Sequence, residues 1–230
     1  MEADMKKLAI LHTTPVTIPV MKALIRERME QIEIINLLDD SILPEINTAG
    51  RITEEVRNRI ACMMRMAKTA GAEVILSACS SIGGAVEETG RTADIPVYRI
   101  DEPMAEKAIG YGRIGVAATL ASTIEPTTEL VRRKAAQKGR EPKVECLVMK
   151  EAGALLNAGR EDEYNELVRK ELERLAGSND IVVLAQVSMA RAIDGLTEEE
   201  RKKYLTSPVS GVEAVLSEMW GWEKQGKDKE

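Results

Sequence analysis

Cys79 is the residue in this chain best suited to chemistry. It stands in Ala78-Cys79-Ser80-Ser81, where an apolar run gives way to hydroxyls and then to the pair Gly83-Gly84. At the end of a strand and the start of a helix, the helix dipole favours a thiolate and lowers a pKa from its usual value of about 8.5. Such a thiol can take and return protons. Free cysteines are more often small buried hydrophobes, but the flanking serines and the glycine turn favour the reactive reading here. Cys62 and Cys146 fall inside a helix pattern and a strand pattern, where inert core thiols are expected. His12 is the only histidine, and its ordinary pKa near 6.5 suits acid–base work. It serves either as a second acid/base or as a loop histidine bonded to a carbonyl.

Around these two lie the hydroxyls of Thr13, Thr14, Ser80, Ser81, Thr119, Ser122, Thr123 and Ser188. Each alone reads as a helix cap. As a set at strand exits in both halves of the chain, with free N–H groups of helix starts beside them, they suit an anionic oxygen. A small carboxylate is the natural ligand. Gln186 completes the group: a carboxamide neither gains nor loses a proton near neutral pH, so it can hold a substrate oxygen or orient a water but cannot be an acid or a base.

Two related stretches must position these side chains, Glu73-Val-Ile-Leu-Ser-Ala-Cys-Ser-Ser81 and Asp180-Ile-Val-Val-Leu-Ala-Gln-Val-Ser188. Each opens with an acid, runs through Val, Ile and Leu, and ends in polar residues. Unbroken apolar runs of this kind read as strands buried on both faces of a parallel sheet, with ligands taken at their carboxyl ends. Further strands are expected at 7–11, 32–37, 95–98, 113–118 and 144–148. Helices are expected at about 18–29, 53–69, 126–138 and 161–175, with proline-led starts at Pro103 and Pro208; residues 39–50 read as loop. Leu8 and Ile114, Gly71 and Gly177, Cys79 and Gln186, and Pro103 and Pro208 are separated by nearly the same number of residues. That spacing describes a tandem duplication of an α/β unit. Residues 1–109 form the first domain, 110–206 the second, 207–220 a C-terminal helix packing back on the first domain, and 221–230 a frayed tail.

Composition narrows the function. The chain has 230 residues and a net charge of −6, with a pI near 5.2, which argues against nucleic acid or an anionic membrane as partner. No apolar run approaches a membrane span. Three cysteines without an export signal suit reduced thiols in a cytoplasm. There is no C-x-x-C or His cluster for zinc. Gly110-Tyr-Gly-Arg-Ile-Gly115 matches a dinucleotide fingerprint but precedes a strand instead of opening a helix, so it reads as a linker.

The duplicated layout resembles the aspartate/glutamate/hydantoin racemase superfamily. The resemblance rests on the strand-end Cys79, on Ile114-Gly-Val-Ala-Ala-Thr119 opening the second half, and on Ser207-Pro-Val-Ser-Gly-Val-Glu213 opening the last helix. It covers essentially the whole chain. It implies two pseudo-symmetric doubly wound α/β domains with the active site in the cleft between them, no cofactor of any kind, a small carboxylate substrate and a homo-oligomeric assembly. In the racemases of this family two cysteines flank the substrate's α-carbon. The first carries over to Cys79, whereas the second falls on Gln186, so two-thiol racemisation is excluded. The leading expectation is a cofactor-independent racemase or isomerase with Cys79 as one acid/base and His12 or water as the other. A single-cysteine decarboxylase and a non-catalytic carboxylate binder are the alternatives.

Overall fold

The computed structural model describes residues 5–221, so the expected frayed tail lies, but for Gly221, outside the described residues. The first half runs β1 (Lys6–His12), α1 (Thr17–Arg28), β2 (Ile32–Leu38), α2 (Ile42–Ala49), α3 (Glu54–Thr69), β3 (Val74–Ser77), α4 (Gly83–Gly90), β4 (Val97–Arg99) and α5 (Glu102–Ala108). The second runs β5 (Arg113–Ala118), α6 (Ala121–Gln137), β6 (Lys143–Val148), α7 (Lys150–Asn157), α8 (Glu161–Ser178), β7 (Ile181–Leu184), α9 (Glu198–Arg201), β8 (Tyr204–Thr206) and α10 (Ser207–Trp220). Short 3-10 turns, Ser80–Ile82 and Val187–Ile193, follow β3 and β7.

Each half builds one four-stranded sheet, in the orders β2-β1-β3-β4 and β6-β5-β7-β8. Every strand pair is parallel. The chain winds outward from the first strand of each half and then returns to its other side. The carboxyl ends of β1 and β3, and of β5 and β7, are therefore switch points, where doubly wound sheets open a crevice.

The apolar runs seen in the sequence are the central strands. All four residues of β3 and all four of β7 are buried. Ile75 faces Val56, Ile60 and Met64 of α3, while Val74 and Leu76 face Met21 and Ile25 of α1. In the second half Ile181 and Val183 pack with Leu130 and Val131 of α6, and Val182 and Leu184 with Tyr164, Val168 and Leu172 of α8.

The last helix of each half crosses to the other sheet. Met104, Ala105 and Ala108 of α5 join the core of the second sheet. Val212, Val215 and Leu216 of α10 join the core of the first. Each Val or Leu side chain so buried contributes about 1.5–3 kcal/mol, and the exchange ties the halves together. The contact is close: a Cβ on Gly211 would meet the Ile100 carbonyl oxygen at 2.4 Å.

Three expectations change. Residues 39–50 hold a helix, α2, because Ile42 and Ile46 stand one turn apart and both bury, and Gly50 closes the helix at φ 65°. Pro44 lies in its first turn, where a missing N–H costs little. Helix α6 begins at Ala121, so Pro126 is inside it and Thr123 belongs to its first turn. Cys62 and Cys146 are exposed, not core thiols: one lies on the outer side of α3, the other on the edge strand β6. Among the described residues no helix is long and apolar enough to cross a membrane.

Candidate active site

Where β3 leaves its sheet, Cys79 keeps an extended backbone, φ −132° and ψ 113°, and the chain then tightens into the Ser80–Ile82 turn. The thiol is half-buried. Burial pushes its pKa up, while the Thr13 hydroxyl, the N–H groups of Ile82 and Ser81 and the Ser81 hydroxyl pull the other way. Burial prevails, which corrects the expectation of a lowered value: one 3-10 turn offers a few N–H donors, not the dipole of a long helix. Cys79 therefore rests as the protonated thiol, surrounded by groups that would stabilise a thiolate once formed. The Thr13 hydroxyl is buried and makes no hydrogen bond of ordinary geometry to any protein atom. Thr14 contributes its carbonyl to the Thr17 hydroxyl, and Ser80 is buried in the turn.

His12 is fully buried, and both its ring nitrogens are engaged. The Thr17 hydroxyl lies within hydrogen-bond reach of both the Thr14 carbonyl, at 3.1 Å, and His12 Nδ1, at 2.7 Å. Nε2 lies 3.0 Å from the Asn36 carboxamide oxygen. Burial lowers the imidazole pKa, with the Asn36 hydrogen bond opposing. The ring thus ties the end of β1 to β2 and to the Thr13-Thr14 loop.

At the matching point of the second half Gln186 has φ −130° and ψ 139° and also precedes a 3-10 turn. Its backbone nearly repeats that of Cys79, so the two positions correspond in conformation as well as in sequence. Gln186 Oε1 accepts from Thr119 N–H at 2.6 Å and from the Thr119 hydroxyl at 2.9 Å. A backbone N–H can only donate, so the bonded end of the carboxamide must be its oxygen, and the NH₂ is the end left for other partners. Ser188, half-buried in the following turn, lies beside the buried Tyr164 hydroxyl, whose pKa burial raises.

The halves touch at these exits. Ser81 Oγ, from the first, and Thr123 Oγ1, from α6 of the second, are hydrogen-bonded at 2.9 Å. Beneath this contact lies a charged group that the sequence reading missed. Arg99, 5% exposed, makes a two-pronged bond to Asp101, 1% exposed, with both N···O distances 2.9 Å. Glu87 lies 3.5 Å from Arg99 on one side and bonds Arg133 of α6 at 2.7 and 2.8 Å on the other. Removing Asp101 alone would strand a buried guanidinium, at a cost of about 3–5 kcal/mol. Ser81, Glu87, Arg99 and Arg133 border a cavity of about 120 Å³. A larger depression, about 590 Å³, lies between α6 and Cys146 and is lined by none of the strand-exit residues. The larger depression therefore does not coincide with the strand-exit residues.

A sequence-family model described as Asp/Glu/hydantoin racemase matches residues 13–215. Among solved structures, the fold is similar to glutamate racemase RacE1 from Bacillus anthracis, with a TM-score of 0.71 and 17% identity over 95% of this chain and 84% of that one. It is also similar to allantoin racemase from Klebsiella pneumoniae, with a TM-score of 0.67 and 17% identity over 98% and 95%. Unliganded arylmalonate decarboxylase gives a TM-score of 0.55 and 13% identity over 96% and 97%. A comparison with curated protein sequences finds no significant match. With the family model spanning most of its length, two parallel sheets in the matching arrangement and a cysteine at the first switch point, the chain belongs to the Asp/Glu/hydantoin racemase family.

Proposed function

We propose that this racemase-family enzyme moves a proton at a carbon next to a carboxylate, with Cys79 as the acid/base and no cofactor. The observation that carries the reading is the ring of donors at the sulfur: the Thr13 and Ser81 hydroxyls and the N–H groups of Ser81 and Ile82. Once deprotonated, the thiolate takes the α-proton, and the C–H electron pair passes into the carboxylate as a planar enediolate. Return of the proton from Cys79 gives exchange, and delivery from water on the opposite face gives inversion. In this reading the Cys79 and Gln186 side chains face one cleft. Thr13, Thr14, Ser80, Ser81, Thr119, Thr123 and Ser188 surround the substrate, and the Gln186 NH₂ holds a carboxylate oxygen. Because both nitrogens of His12 are engaged, we assign it to positioning the Thr13-Thr14 loop and leave the second face to water.

A second reading is decarboxylation. Two observations favour it: Cys79 rests as a thiol, and the position opposite it in the duplication holds a carboxamide that cannot exchange protons. The C–C bond to a carboxylate breaks, carbon dioxide leaves, the electron pair stays on carbon, and Cys79 S–H protonates it from one face. The two readings separate when small amino, hydroxy and substituted malonic acids are incubated with the protein in deuterium oxide. Deuterium entering a recovered substrate supports proton exchange. Release of carbon dioxide with a single deuterium in the product supports the lyase. Tight binding with neither event overturns both.

A further inference from the structure

The turn that carries Cys79 is joined to helix α6 of the other half at two points. Ser81 bonds Thr123, and Glu87, one turn into the adjoining helix α4, bonds Arg133. Between them the turn rests on Arg99: a Cβ on Gly83 would meet the guanidinium carbon at 2.3 Å, so the guanidinium lies directly against the start of α4. Arg99 is fixed from behind by Asp101 and faces Glu87. Glu87 thus stands between a buried cation of the first half and a partly exposed cation of the second. The side chains of Arg133 and Glu87 are 38% and 25% exposed, so this link is open to salt and substitution, whereas the Arg99–Asp101 pair is sealed.

We propose that Glu87 is a positioning residue. With Arg133 it forms a latch that holds the Cys79 turn closed against α6, and the state of the latch sets how readily the thiol is reached. The proposal goes beyond the assignment of Cys79 as acid/base, and only its kinetic consequence rests on that reading. When the latch is closed, Ser81 is held against Thr123 and the junction cavity behind it stays small, about 120 Å³. When it opens, α6 and the turn separate at the edge of the site, and an incoming substrate must itself supply the closing energy. Loss of the latch should then weaken substrate binding uniformly, raising KM and leaving kcat nearly unchanged.

The direct test is alkylation of the intact protein by iodoacetamide, a neutral reagent, with each cysteine-containing peptide followed separately by mass spectrometry. Exposed Cys62, on α3 away from α6, serves as the internal reference. Arg133→Met and Glu87→Gln should each raise the Cys79 rate about two- to fivefold, the range to which the free energy of a partly exposed ion pair converts. The double variant should exceed neither single one by more than error, Arg133→Lys should restore most of the protection, and added salt should accelerate labelling in wild type but not in Arg133→Met. Labelling that is equal in all forms, or effects of the two substitutions that simply add, would overturn the latch. This arm needs no turnover, so it can fail or succeed independently of the proposed reaction. Where a substrate is turned over, the same variants should raise KM by the same factor, and a fall in kcat at constant KM would also overturn it.

Discussion

The carboxamide oxygen of Gln186 takes two hydrogen bonds from one residue, Thr119, through its backbone N–H and its hydroxyl. The two bonds fix the side chain from the strand beside it and turn its amide nitrogen away as a donor. The duplication therefore holds a carboxamide in the second half where the first half holds a thiol. The chemistry of the two positions differs although their backbones nearly repeat.

Gln186→Cys tests what that difference means. The variant loses both bonds to Thr119, and an amide left without a partner costs about 1–3 kcal/mol, so its melting temperature should fall while it still folds. On substrates that wild type binds, it should lose stereochemistry faster than wild type does, because a second thiol replaces water on the opposite face. No gain on any such substrate would contradict the correspondence of Gln186 with Cys79.

Cys79 should be the slowest of the three cysteines to alkylate at neutral pH, behind exposed Cys62 and Cys146. Its pKa is raised by burial, so the rate should climb with pH through a midpoint above the ordinary thiol value of about 8.5. A carboxylate ligand should slow it further. Fastest labelling at Cys79 at pH 7 would contradict the half-buried, protonated thiol.

His12 makes stability depend on acid. Its pKa is lower in the folded protein than in the unfolded chain, so the unfolded chain binds more protons in the window between the two values. The contribution of the neutral ring is complete above about pH 6.5 and is lost as pH falls from there toward the folded value. Urea titrations at stepped pH should show this loss in wild type and a flatter profile in His12→Gln. Identical profiles would show that the ring carries no such linkage.

Two glycine substitutions test the exchange of helices between halves. Gly211→Ala drives a methyl into the Ile100 carbonyl at 2.4 Å and should cost about 1–3 kcal/mol or more by overpacking. Gly177→Ala in α8 meets nothing within 4 Å and should gain about 0.5–1 kcal/mol. Chemical denaturation measures both, and equal effects would mean that α10 does not seat against Ile100 as described.

Much of this was legible in the sequence because it depends on local pattern. The runs Val74-Ile-Leu76 and Ile181-Val-Val-Leu184 could only be strands buried on both faces, and the spacing of Gly71 with Gly177 and of Pro103 with Pro208 exposed the duplication. What escaped depends on tertiary context. Helix α2 was hidden because Ile42 and Ile46 are only two apolar contacts in a short polar stretch. The exposure of Cys62 and Cys146 turns on which side of a helix and which edge of a sheet face outward. Arg99 shows no sequence mark of burial. Its nearest clue is Asp101 two residues on, while Glu87 and Arg133 are brought to it only when α4 and α6 meet.

The central claim is that the Cys79 thiol carries the proton. Wild type and Cys79→Ala should be compared for binding of small carboxylates by calorimetry and for entry of deuterium at carbon from deuterium oxide by NMR. Loss of one small side chain at a strand exit should leave folding and binding nearly intact, while deuterium incorporation falls by a factor of about 10² or more, the range general acid–base groups supply. Incorporation at an undiminished rate in a folded Cys79→Ala protein would contradict the account.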